Sequence, residues 1–114
     1  MHTVCKAALV LVLMVTLLVR ADASEYCDKM FNGFADEMDK IADSYDRMTA
    51  EHKSVQEVCD FSSSTAIPAR KRILATAEAN RSKCDNGASA VKFAQETLQK
   101  AVSDFNRQCG AAGR

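Results

Sequence analysis

The sequence predicts an all-α protein: a disulfide-stapled antiparallel helical hairpin whose second arm is broken into two helices, giving three helices in all. A long stripe of large apolar residues recurs at heptad spacing before residue 60, which is typical of a helix with one buried face. A second, thinner stripe follows after a serine-rich interruption. Four cysteines lie beyond a predicted signal peptide, and an even number of cysteines in a short exported chain predicts two disulfides.

Residues 1–23 are predicted to be a signal peptide that is cleaved after Ala23. Lys6 supplies the positive charge, Ala7 to Val19 form a run of 13 residues with one polar member, and Ala21 and Ala23 stand where a signal peptidase reads small residues. The alternative is an uncleaved anchor, but the run is shorter than the roughly 20 residues that a membrane-spanning helix needs. We therefore expect a secreted or periplasmic protein with no stable membrane insertion after cleavage.

The mature chain is expected to form a single α-helical domain over residues 24–109, followed by a frayed tail over residues 110–114. Its first element is predicted to be one uninterrupted helix from Cys27 to Cys59, in which Gly33 alone weakens the helix, by about 1 kcal/mol relative to alanine. The stripe that predicts this helix, as in a coiled coil, comprises Cys27, Phe31, Phe34, Met38, Ile41, Tyr45, Met48, His52, Val55 and Cys59.

The interruption from Phe61 to Thr65 is predicted to be the loop between the two arms. Ser64 or Thr65 can cap the next helix, which should begin near Ala66 with Pro68 in its first turn, where a missing amide hydrogen costs nothing.

The second arm carries a strong turn signal, Asp85-Asn86-Gly87, inside its stripe. Either one helix kinks there or two helices meet. Because the stripe keeps its phase across the turn, we favour a kink or short break near Asn86 between two roughly collinear helices. The stripe comprises Ile67, Leu74, Ala77, Arg81, Cys84, Ala88, Val91, Gln95, Leu98, Val102, Phe105 and Cys109, and its alanines permit close helix approach.

The predicted long helix restricts the pairing of Cys27, Cys59, Cys84 and Cys109. At 1.5 Å per residue it would separate Cys27 from Cys59 by about 48 Å, whereas a disulfide needs Cα atoms roughly 5.5 Å apart. Pairing Cys27 with Cys84 would leave a gap on the order of 20 Å. We therefore favour the nested pairing, Cys27 with Cys109 and Cys59 with Cys84, and keep the other two as alternatives.

The charges are distributed unevenly along the chain. Residues 25–60 carry ten acids and four bases, a balance of minus six, and residues 61–114 carry nine bases and four acids, a balance of plus five. We expect the two halves to pair with each other, with the basic run Arg70-Lys71-Arg72 facing the first helix rather than serving as a processing site. The near-zero total argues against nucleic acid as a partner.

Residues that could carry chemistry are few. His52 is the one histidine left after cleavage, and it could sense pH, although a partly buried histidine bonded to backbone or water is the simpler interpretation. Asp36, Asp39, Asp43 and Asp46 repeat at helical spacing, which is typical of a solvated face. Asn80-Arg81-Ser82 matches the N-glycosylation acceptor but would lie within a helix. We predict no catalytic residue, no metal site and no cofactor, so the protein is not expected to be an enzyme.

The function predicted is binding, because the first helix carries more apolar bulk than an alanine-rich arm can cover. The candidate binding face, presented to a protein partner or to a second copy in a homodimer, comprises Met30, Phe31, Phe34, Met38, Tyr45 and Met48. The alternative is a carrier of a small apolar ligand, held between the helices by the same side chains.

Overall fold

The computed structural model describes the backbone of residues 2–110 and the side chains of residues 24–110. Four α-helices follow one another: α1 (His2–Ala50), α2 (Val55–Phe61), α3 (Ile67–Ala79) and α4 (Gly87–Cys109), with a π-helical segment (Ser62–Ala66) joining α2 to α3. The predicted signal peptide, residues 1–23, and the predicted tail beyond Gly110 lie outside the residues described in full. The all-α, disulfide-linked fold is confirmed.

The first helix ends earlier than predicted, so the uninterrupted helix from Cys27 to Cys59 is wrong. The amide of Lys53 donates to the carbonyl of Met48 at 2.9 Å, and the amide of His52 donates to that of Thr49 at 3.1 Å. These two bonds form a Schellman motif, in which His52 takes the left-handed backbone conformation with φ 54°. Glycine is the usual residue at that position. Because histidine stands there instead, neither a glycine nor a proline marks the end of α1 in the sequence.

The second arm begins at a capping box that the apolar stripe concealed. Ser54 is extended, and its hydroxyl accepts a hydrogen bond from the amide of Glu57 at 3.1 Å. Ser54-Val55-Gln56-Glu57 is the Ser-x-x-Glu pattern that starts helices. The connection between the arms is therefore residues 51–54.

The predicted loop from Phe61 to Thr65 is wrong, because the chain remains helical there. The hydroxyls of Ser63 and Ser64 bond back to the carbonyl of Asp60, so these serines stay within the helix. The turn widens to a π-helix directly before Pro68. Proline has no amide hydrogen to donate to the Ser64 carbonyl, and its ring would clash with that carbonyl in a regular α-helix. Pro68 therefore lies in the first turn of α3, as predicted, but a π-helical turn and not a loop precedes it.

The predicted break near Asn86 is confirmed, but the two helices that it separates are not collinear. After residues 80–86, α4 turns back and packs against α3 more closely than any other pair of helices in the described chain. Small residues allow this approach: Ala77, Gly87 and Ala94 are all buried. The three helical arms therefore run down, up and down in a bundle.

Both predicted disulfide pairs are wrong, although all four cysteines are paired. Cys27 bonds to Cys84 and Cys59 bonds to Cys109, each with 5.8 Å between Cα atoms. Ending α1 at Ala50 shortens the first arm by nine residues, about 14 Å, and lengthens the second. Cys84 thereby reaches the level of Cys27, and the return of α4 brings Cys109 to Cys59.

The helix α1 meets the other arms through large side chains. Ile41 packs with Ala66 and Ala69, and the ring of Tyr45 meets that of Phe61 edge-on with 5.2 Å between centroids. The Tyr45 hydroxyl lies 2.6 Å from that of Ser62, so the π-helical segment supplies a polar partner at the core. These bulky contacts hold the axis of α1 further from α3 and α4 than those two are from each other.

The residues in the described part of the chain include no helical segment with both the length and the apolarity that crossing a membrane requires. The two disulfides fit an oxidising extracellular environment.

Candidate functional site

An apolar groove lies between α1 and α4, and we call it the α1–α4 groove. Its volume is about 570 Å³, and its apolar floor includes Ile73 of α3. The rings of Phe31 and Phe34 lie in it with 6.4 Å between centroids. The groove is lined by Phe31, Phe34, Ala35, Met38, Asp39, Ile73, Asn86, Ser89, Ala90, Phe93 and Ala94.

The groove brings together three of the six residues of the candidate binding face. Phe31, Phe34 and Met38 line it, and each is half-buried. Tyr45 instead packs against the core at Phe61 and Ser62. The remaining two, Met30 and Met48, are half-buried and do not line the groove. The predicted face is therefore not continuous: three of its residues line the groove, one packs in the core and two do neither.

The opposite wall of the groove was missed by sequence reasoning. Phe93 of α4 is 56% exposed, and it faces the groove together with Ala90. Phe93 lies outside the second apolar stripe, two residues after Val91, which is buried. A phenylalanine off the buried face of an amphipathic helix was the available signal, because such a ring is left to solvent or to a partner.

Comparison with known proteins assigns no family. No family model, curated protein or solved structure matches this chain. The groove must therefore be interpreted from its own chemistry.

A second, smaller cavity of about 240 Å³ lies near the Cys59–Cys109 disulfide. It mixes apolar walls with Tyr45, Arg70, Asp104 and Gln108. Two of its polar groups already have partners, since Asp104 pairs with Arg107 at 2.8 Å and the Tyr45 hydroxyl bonds to Ser62. This cavity offers less apolar surface to a ligand than the α1–α4 groove does.

His52 lies away from the groove, in the connection that follows α1. Its side chain is exposed, and its backbone conformation closes the Schellman motif. All four cysteines of the described chain are in disulfides, so no thiol stands near it as a nucleophile. The role of His52 as a pH sensor stays a prediction. The structure does show its role at the helix end, where its left-handed backbone forms part of the Schellman motif.

The charged motifs follow the sequence prediction only in part. Within the described residues, Arg72 to Glu37 at 3.4 Å is the one ion pair that joins α1 to the later helices, so the two halves are not paired along their length. Arg70-Lys71-Arg72 lies inside α3. The Asn80 side chain is buried and donates to the Thr76 carbonyl at 2.8 Å, which keeps it from a glycosylation enzyme in the folded protein. Within the part of the chain whose side chains the structure describes, no three histidine, cysteine or acidic side chains come together as metal ligands would.

Proposed function

We propose that this chain is an exported binding protein, either secreted or periplasmic, that acts without catalysis. It takes an apolar surface of a protein partner into the α1–α4 groove. The observation that carries the proposal is the exposure of Phe93 opposite Phe31, Phe34 and Met38. Aromatic and methionine side chains around one groove are typical of surfaces that accept the apolar face of another protein.

The shape of the groove supports a helical or extended partner more than a globular one. The groove is open along one side and runs between two helices, so that a segment can enter it laterally. Its lining side chains are apolar apart from Asp39, Asn86 and Ser89 at the margin. An apolar centre with a polar margin is the usual composition of a protein interface.

Replacing Phe93 tests the proposal without disturbing the core, because its side chain is more than half exposed. The Phe93→Asp variant should lose proteins that the wild type retains from the exported fraction of its source. The matched control is Tyr26→Asp, which places the same charge at a residue that is 52% exposed and outside the groove. Retention that Phe93→Asp leaves unchanged contradicts the proposal.

The protein partner could also be a second copy of this chain, and sedimentation of the purified protein distinguishes a homodimer from a monomer. A dimer that dissociates on Phe93→Asp substitution and persists on Tyr26→Asp substitution assigns the groove to self-association. A monomer at all concentrations excludes self-association through the groove.

A carrier of a small apolar ligand is the second candidate function, and the volume of the groove favours it. About 570 Å³ falls within the range of small-molecule sites. Mass spectrometry of the purified protein under native conditions should then show one bound apolar molecule per chain, absent from Phe93→Asp. Protein free of such a molecule, as isolated, counts against the carrier.

A further inference from the structure

We propose that the partner accepted by the α1–α4 groove is an amphipathic helix whose apolar face is flanked by lysine or arginine. The inference rests on the proposed function and adds the chemistry of the partner. It follows from the position of the carboxylates of α1 around the groove.

Three aspartates lie in one row along α1, on the side that forms the outer margin of the groove. At 100° per residue, Asp28, Asp39 and Asp46 lie about 60–80° around α1 from Phe31. Cys27 and Ile41, which face the core, lie about 40–80° from Phe31 in the opposite sense. Asp39 lines the groove, whereas Asp28 lies about 5 Å before Phe31 and Asp46 about 11 Å beyond Asp39 along the same row. A partner helix of about 18 residues, about 27 Å long, would reach all three.

The basic residues of α1 stand elsewhere. Lys29, Lys40 and Arg47 lie about 160–180° from Phe31, on the side of α1 away from the groove. None of the ion pairs in the described part of the chain includes any of the three marginal aspartates. The groove therefore has one exposed carboxylate at its α1 margin and one beyond each end of that margin, and none of the three forms an ion pair within the described residues.

The dimensions of the groove suit about two turns of a helix. Its α1 wall extends from Phe31 to Asp39 and its α4 wall from Asn86 to Ala94, each about 12 Å long. Both helices run from the Cys27–Cys84 end towards the Cys59–Cys109 end, so they are parallel. A helix laid between them would complete a four-helix bundle, with apolar side chains at i, i+3 or i+4, and i+7 in the groove.

Three synthetic peptides of about 18 residues test the charge of the partner. They share one apolar face of leucine and phenylalanine, and their flanking positions are lysine, glutamine or glutamate. Amide chemical shifts of the isotope-labelled protein should move along the groove with the lysine peptide, which should bind roughly tenfold or more tightly than the glutamine peptide and weaken as salt is raised. The glutamate peptide should bind least.

Neutralising the margin provides the matched variant. Asp28→Asn, Asp39→Asn and Asp46→Asn together should lower the affinity for the lysine peptide roughly tenfold and leave that for the glutamine peptide unchanged. The control combines Glu51→Gln, Asp60→Asn and Glu78→Gln, which changes the net charge equally at exposed residues outside the groove. The control should bind the lysine peptide as the wild type does.

The outcomes separate this inference from the proposed function. Equal binding of all three peptides, lost on Phe93→Asp substitution, overturns the inference and retains the apolar groove as a binding site. Equal weakening by the two triple variants also overturns it, because the attraction is then a property of the whole charge. Absence of shift changes with every peptide overturns it too, and the retention and sedimentation experiments on Phe93→Asp then decide the proposed function.

Discussion

Gly33 and Gly87 are both helical, yet their surroundings differ. A Cβ atom added at Gly33 would meet nothing within 4 Å, because the residue is exposed on α1. A Cβ atom added at Gly87 would overlap the carbonyl oxygen of Arg81, because the first turn of α4 lies against the turn that precedes it. Glycine is therefore required at position 87 because the backbone of Arg81 lies against it. At position 33, glycine only leaves the helix less stable than alanine would.

Alanine substitution at the two glycines should act in opposite directions. Gly87→Ala should lower the free energy of unfolding by about 1–3 kcal/mol, since the backbone of residues 80–86 must move. Gly33→Ala should raise it by about 0.5–1 kcal/mol. Urea denaturation of the two variants measures both, and a loss of stability at Gly33 would contradict the open surroundings described for it.

The end of α1 decides where the second arm begins and therefore which of its residues lie level with those of α1. It depends on the left-handed backbone of His52 and on the Ser54 cap that follows, two residues later. The apolar stripe continues through both positions, so hydrophobic periodicity alone extends the helix to Cys59. Local capping therefore overrides the stripe at this connection, and the capping box was the sequence feature that could have revealed it.

Substitution of His52 tests this account of the helix end. Left-handed backbone costs an L-residue roughly 1–2 kcal/mol, and glycine adopts it freely. His52→Gly should therefore raise the free energy of unfolding by up to about 1 kcal/mol, and His52→Val should lower it by about 1 kcal/mol or more. Thermal denaturation followed by circular dichroism ranks the three proteins, and a wild type less stable than His52→Val would be inconsistent with the observed turn.

In the whole molecule, two disulfides tie opposite ends of the bundle. Cys27–Cys84 holds α1 beside the turn between α3 and α4, next to the end of the groove that Phe31 and Asn86 form, and Cys59–Cys109 holds the end of α4 to α2. The backbone of α1 approaches the other arms closely at few places. The Cys27–Cys84 bond therefore contributes more than the other disulfide to holding the two walls of the groove together near Phe31 and Asn86. The shape of the binding site therefore depends on an oxidised chain.

Removing either disulfide should cost a similar amount of stability but affect the groove differently. The bonds span 57 and 50 residues, so chain entropy predicts a loss of about 4 kcal/mol for each. The Cys27→Ala, Cys84→Ala variant should also speed amide hydrogen exchange over residues 24–38, and the Cys59→Ala, Cys109→Ala variant should speed it near the end of α4. Peptide mapping that joins Cys27 to Cys109 in the oxidised wild type would contradict the observed pairing.

The sequence by itself determined the helical class, the two-disulfide framework, the break near Asn86 and the apolar excess at Phe31, Phe34 and Met38, because each depends on local periodicity, turn chemistry or residue counts. Only the tertiary structure decided that α1 ends at Ala50, that α4 folds back on α3, which cysteines pair, and that Phe93 completes a groove. These features depend on which arms become neighbours and at what level. A shift of nine residues in the end of α1 changes the level of Cys84 against Cys27, and the turn over residues 80–86 brings α4 back to Cys59; apolar spacing alone detects neither.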